Sequence, residues 1–244
     1  MLKLRSIKTQ LIIYLAGSAV FLSIRDRDLV FLTALIIAVI SSLIAESTTL
    51  FFKKKLFEIT ESSIITGLII GFVLSSNLAW RVIVAASLIA IISKHLIRFQ
   101  NKPIFNPAAF GIFLAVVLFN VSTQWRGAYL WYLLLPAGMY FIYKIRKIEI
   151  IIGYVLVFIC LFGIQAFWQK NSIWHILGYL NYFYIFIMII EPKTTPVKPA
   201  LKFLFGSGIA VLIFILTKLP GRFDSELVSL LIMNPAAYAL AQIF

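Results

Sequence analysis

Two copies of the tetrapeptide NPAA, at Asn106 and Asn234, and one proline-rich string, IIEPKTTPVKP from Ile189 to Pro199, hold the residue types best suited to chemistry in this sequence. Asn is among the preferred helix N-caps, and proline in a first helical turn forfeits only an N–H that would be unbonded anyway. Asn106-Pro107 and Asn234-Pro235 therefore read as helix starts, and Asn234 lies inside an apolar run. A helix that begins within a membrane aims unpaired N–H groups and a positive dipole end at whatever lies in front of it. Lipid tolerates such an end only where it faces protein or a cavity. The same dipeptides also suit a structural kink with no ligand, and the residues alone leave both readings open.

In the proline-rich string, Glu191 closes an apolar run and Pro192, Pro196 and Pro199 forbid a continuous helix. Thr194 and Thr195 supply hydroxyls beside Lys193 and Lys198. A loop that binds a polar or anionic group fits this pattern, and so does a rigid turn whose lysines fix topology. Its counterpart in the first half is read as an uncharged loop at Thr66-Gly67. His95 and His175 lack the spacing of a pair on facing helices and read as boundary residues rather than haem ligands. Glu46, inside an apolar run, is a functional candidate or a partner for Lys53 to Lys55. Cys160 stands alone, so neither a disulfide framework nor a metal-ligating cluster is read. No P-loop or dinucleotide-binding glycine pattern occurs, which argues against a hydrolytic or nucleotide-driven enzyme.

The elements that must position these residues are membrane helices. Hydrophobic residues make up 62% of the 244 and charged ones 13%, where a soluble domain carries about a quarter charged. The net charge of +13 comes from short clusters between apolar runs, which fits topology and lipid headgroups rather than nucleic acid. Apolar runs fall at 11–24, 28–52, 62–75, 78–97, 103–119, 127–143, 148–168, 172–190, 200–217 and 227–244. Several are shorter than the ~20 residues of a full span, and 62–75, with Gly67 and Gly71 for close packing, has the length of a re-entrant or broken helix. If all ten cross, 15 of the 22 basic residues fall on one side, which places both termini in the cytoplasm. Trp80, Trp125, Trp131, Trp168 and Trp174 then sit near the outer boundary. The opening residues have the form of a secretory leader, but an uncut first helix accounts better for Lys53 to Lys55.

Sliding the chain against itself by 128 residues sets Asn106 on Asn234 and Thr66 on Thr194. Two pseudo-repeats, about 1–122 and 123–244, would each hold five segments in a single membrane domain, and an odd number forces them into opposite orientations. The expectation is thus an all-α polytopic protein of about ten segments in two inverted repeats.

The strings TGLIIGFVLS from Thr66, SKHLIRFQNKPIFNPAAFG from Ser93, EPKTTPVKPALKFLFGSGIA from Glu191 and LLIMN from Leu230 resemble, in sequence and order, one family. It holds RnfD of the Rnf electron-transport complex and NqrB of the sodium-translocating NADH:quinone reductase. The resemblance implies an inverted-repeat fold similar to that of urea transporters and a role in passing electrons through flavin. It implies a cofactor site at Asn106, Pro107, Ala108 and Gly111 and at Glu191, Pro192, Thr194 and Pro196. The repeat and the neighbouring hydroxyls add Thr66, Gly67, Thr195, Asn234 and Pro235. Larger relatives bind FMN covalently at an (S/T)GA(S/T)-type motif that this sequence lacks, so FMN or riboflavin held without a bond is expected.

The function expected is that of a component of the cell membrane that transfers electrons among other redox subunits, without a catalytic motif of its own. The alternative is a channel or carrier for a small polar solute on the same fold, since fold alone does not decide function.

Overall fold

A computed structural model describes residues 6–55, 57–170, 174–221 and 223–243, and of residues 54, 174, 175 and 241–243 the backbone only. The His175 and Trp174 side chains, Lys3, Arg5 and the Arg222 position fall outside the described parts. The chain forms two compact units, residues 1–130 and 131–244, and both are helical.

The first unit runs α1 (Ile7–Arg25), α2 (Leu29–Lys54), α3 (Glu61–Val73), α4 (Trp80–Leu96) and α5 (Pro107–Phe119). A hairpin of two short strands, β1 (Arg98–Phe99) and β2 (Lys102–Pro103), joins α4 to α5, and a 3₁₀ turn, Arg126–Leu130, closes the unit. Four helices start on a side-chain oxygen that accepts a first-turn N–H: Ser6 for α1, Asp28 for α2, Thr60 for α3 and Asn106 for α5. The core is the contact of α3 with α2 and of α5 with α4. A Cβ added at Gly67 would lie 2.5 Å from Val39 Cα, and one at Gly71 2.8 Å from Leu35 Cα. One at Gly111 would strike the Ala86 carbonyl. Small residues thus set the helix spacing, as they do in lipid, where no hydrophobic force presses helices together.

The second unit runs α6 (Trp131–Ile145), α7 (Ile148–Trp168), α8 (Trp174–Tyr179), a π-helical turn (Tyr184–Met188), α9 (Pro199–Leu216) and α10 (Ser225–Ile243). Helices α7 and α9 interlock: Gly153 faces the Phe203 carbonyl and Gly206 the Ile150 carbonyl, each with no room for a Cβ. Gly138 of α6 lies against the Phe186 ring, and Gly208 of α9 against Met233 of α10.

Helices α1, α2, α7 and α9 are long and apolar enough to cross a membrane, which makes the chain a multi-pass membrane protein. Helices α3 and α5, 13 residues each, reach only about 20 Å of a ~30 Å hydrocarbon core. Three expectations need correction. Asn234-Pro235 does not start a helix, because α10 runs through both residues; Pro235 instead removes the N–H that residue 231 would have bonded. Thr66-Gly67 is no loop but the middle of α3. The run 172–190 is broken at Leu180–Asn181, where the Asn181 side chain accepts the Tyr184 N–H at 3.1 Å.

Candidate functional site

In the second unit, the proline-rich string turns at Pro192–Thr194 because no helix can pass three prolines. The Glu191 carbonyl accepts from Thr194 N at 3.4 Å and from Thr195 Oγ1 at 2.8 Å. Lys147, at the head of α7, reaches across to donate from Nζ to the Pro196 carbonyl at 2.5 Å. Thr194, Thr195 and Pro196 are buried by this folding back, while Pro192, Lys193, Val197 and Lys198 stay exposed.

Helix α10 closes over the turn. Asn234 is fully buried, and its Nδ2 donates to the Thr194 carbonyl at 3.3 Å. One helical turn on, Tyr238 donates its hydroxyl to the Lys193 carbonyl at 3.0 Å. Two motifs 40 residues apart therefore form one site, in which Asn234 steadies the loop instead of capping a helix. Thr194 is 2% exposed, and its Oγ1 has no hydrogen-bond partner among the described residues. A buried hydroxyl left unbonded costs about 1–3 kcal/mol, so this site holds a neutral donor suited to a ligand carbonyl or ring nitrogen. Glu191 stands half-buried at the rim.

The corresponding residues of the first unit are arranged differently. Asn106, 1% exposed, caps α5 through the Ala109 N–H at 3.1 Å, with Pro107, Ala108 and Ala109 buried behind it. This buried, positively polarised helix end is the one expected from the sequence. Thr66 donates its hydroxyl to the Ser62 carbonyl at 2.9 Å, and Gly67 and Gly111 make the contacts with α2 and α4 given above.

Three polar clusters were not foreseen. Glu46, 2% exposed, pairs with Lys94 at 2.7 Å and lies 3.0 Å from His95 Nε2. Among Lys53 to Lys55, expected as its partners, Lys53 instead donates to the His95 carbonyl at 3.2 Å. Lys202 of α9 pairs with Glu149 of α7 at 3.2 Å. Finally, Asn181 donates to Glu226 Oε2 at 2.7 Å, and the Tyr184 hydroxyl donates to the Glu226 carbonyl at 2.8 Å. A lone Asn in the apolar string YLNYF was the available signal for that cluster.

The sequence model of the NQR2, RnfD, RnfE family matches residues 3–130. The match contains the α5 start, α3 and the Glu46 cluster, while the proline-rich turn and Asn234 lie beyond it. No curated protein matches the chain. More than half of the chain follows the family's pattern, and the first unit presents the NPA-opened helix where the resemblance requires it, so this membrane protein belongs to the NQR2, RnfD, RnfE family.

Proposed function

We propose that the chain is an electron-transfer subunit of the Rnf and NADH:quinone reductase type, and that it holds flavin noncovalently. The observation that carries the reading is the Thr194 hydroxyl, buried without a partner in a loop fixed by Asn234 and Lys147. Flavin presents carbonyls and ring nitrogens as acceptors, which suits a neutral donor left unbonded. When bound it supplies a carrier for one or two electrons. The residue to hold it is Thr194 of the second unit; within the first unit, taken by itself, the positive end of α5 behind Asn106 favours a negatively charged group. Thr195, whose hydroxyl is already bonded, and Pro192, Pro196 and Pro235 shape the site rather than contact the ligand.

The internal pattern of the units supports inverted repeats. The second and fourth helices of each carry a serine-to-carbonyl bond, Ser87 to Ala38 at 3.3 Å and Ser207 to Gly153 at 3.4 Å. The same helix pairs carry a Lys–Glu ion pair, Lys94–Glu46 and Lys202–Glu149. The first lies late in α2 and α4 and the second early in α7 and α9, so these ion pairs are not equivalent positions of a repeat, and the serine-to-carbonyl bonds alone carry the likeness.

The test is the visible spectrum of the detergent-purified chain, followed by acid precipitation. Flavin should be released at near-stoichiometric yield, and Thr194→Val should lower the flavin-to-protein ratio severalfold with the melting midpoint unchanged. A colourless, folded protein would overturn the reading and favour a carrier for a small polar solute.

A further inference from the structure

The corner between α1 and α2 has one more cation than its acids can pair. Five residues, Arg25, Asp26, Arg27, Asp28 and, from the 3₁₀ turn, Arg126, supply its charge. Asp26 is bonded to Arg25 at 2.7 Å, and Asp28 to Arg126 at 2.5 Å. Both carboxyls are held below the ordinary carboxylate range, Asp26 first by the Arg25 hydrogen bond and Asp28 first by the Phe31 N–H. Each acid is thus ionised and engaged, and among the described residues no carboxylate pairs with Arg27.

Arg27 is also fixed in place. The corner is closed by Asp28 N to the Ser23 carbonyl at 3.0 Å and Arg27 N to the Ile24 carbonyl at 3.3 Å. Arg27 takes the left-handed conformation there, φ 51°, where glycine or asparagine would be the easier residue. Beneath it runs a groove of about 350 Å³ lined by Val20, Ser23, Ile24, Leu29 and Leu32. Arg27 itself belongs to that lining, and the other polar side chain there, Ser23, spends its hydroxyl on the Ala19 carbonyl at 2.8 Å. Ile24 and Leu29 are more than two-thirds exposed.

We propose that this corner binds an anionic phospholipid, its phosphodiester on the Arg27 guanidinium and an acyl chain in the groove below. A guanidinium presents a planar fork of donors that matches phosphate oxygens. A soluble anion would satisfy Arg27 but leave the groove bare, and a neutral hydrocarbon would do the reverse. The order of groups, a cation at the helix ends and an apolar channel along the helices, is that of a phospholipid standing in a membrane. Three arginines against two aspartates leave the corner one net positive charge, which favours a lipid of net negative charge.

The experiment is native mass spectrometry of the full chain in detergent, titrated with phosphatidylglycerol and with phosphatidylcholine of the same acyl chains. The wild type should retain one phosphatidylglycerol about fivefold better than phosphatidylcholine, the ratio one basic residue near a membrane surface confers. Arg27→Asn, which keeps a residue that tolerates the left-handed corner, should erase that preference. Arg81→Asn, at another exposed arginine, should leave it intact. Val20→Trp, which fills the groove, should weaken retention with Arg27 still present. Equal retention of the two lipids by the wild type, or a preference that survives Arg27→Asn, would overturn the site. Retention untouched by Val20→Trp would overturn the role of the groove.

Discussion

Glu46 sits between two bases, Lys94 at 2.7 Å and His95 at 3.0 Å, with Thr60 Oγ1 at 3.4 Å completing its shell. Removing one member of a buried ion pair leaves the other as an uncompensated charge, at a cost of about 3–5 kcal/mol. Glu46→Gln should therefore strand Lys94 and lower the detergent melting midpoint sharply. Glu46→Leu combined with Lys94→Met should recover most of the loss, because both charges leave together; a double variant no better than the single would sink this account. At the same scale, the two Asn-Pro dipeptides explain what was legible in the sequence. Capping is a local event, and before Asn106 stand Pro103 and a hairpin, so no helix exists to be continued. Before Asn234 stands SELVSLLIM, a strong helical lead-in, and the Asn side chain is drawn off by the Thr194 carbonyl. That tertiary bond cannot be read from a tetrapeptide.

Helix ends in this protein take the left-handed conformation at four basic residues, Arg27, Lys55, Arg146 and Lys170, and at Asn120, the C-cap of α5, while no described glycine has a positive φ. The glycines have gone to the helix faces instead. That division gives a paired prediction. Gly17 of α1 has nothing within 4 Å of an added Cβ, whereas one at Gly206 would collide with the Ile150 backbone. Gly17→Ala should be neutral or stabilise by up to about 1 kcal/mol, the helix propensity difference. Gly206→Ala should destabilise by about 1–3 kcal/mol or more through overpacking, as read from thermal unfolding of the two variants side by side. Segment positions were legible from hydropathy, since apolar runs of sufficient length have few other uses. The interruption at Asn181 was not, because its cause is a side chain that bonds Tyr184 N and Glu226 at once, across 45 residues of sequence.

Over the whole molecule, membrane character and family followed from composition and motif order, which depend on no contact geometry. The pairing of the proline-rich turn with α10 depends on such geometry and emerged only with the fold. If all ten segments cross, the 15-to-7 division of basic residues puts both ends in the cytoplasm under the positive-inside rule. Reporter fusions that fluoresce only in the cytoplasm should be bright at both the N- and the C-terminus, and one dark end would require an odd number of crossings. Three of the residues in that division, Lys94, Lys147 and Lys202, each bond a carboxylate or carbonyl within their own unit.

The interlock of α7 and α9 has a mechanical consequence. Each helix offers a glycine to the other's carbonyl, at Gly153 with Phe203 and Gly206 with Ile150. Sliding one helix along the other by a residue, about 1.5 Å with a ~100° turn of the side-chain pattern, would drive a side chain into a space that holds only hydrogen. Shear is thus barred to this pair, and any working motion must carry it as one stiff rod and bend the chain elsewhere.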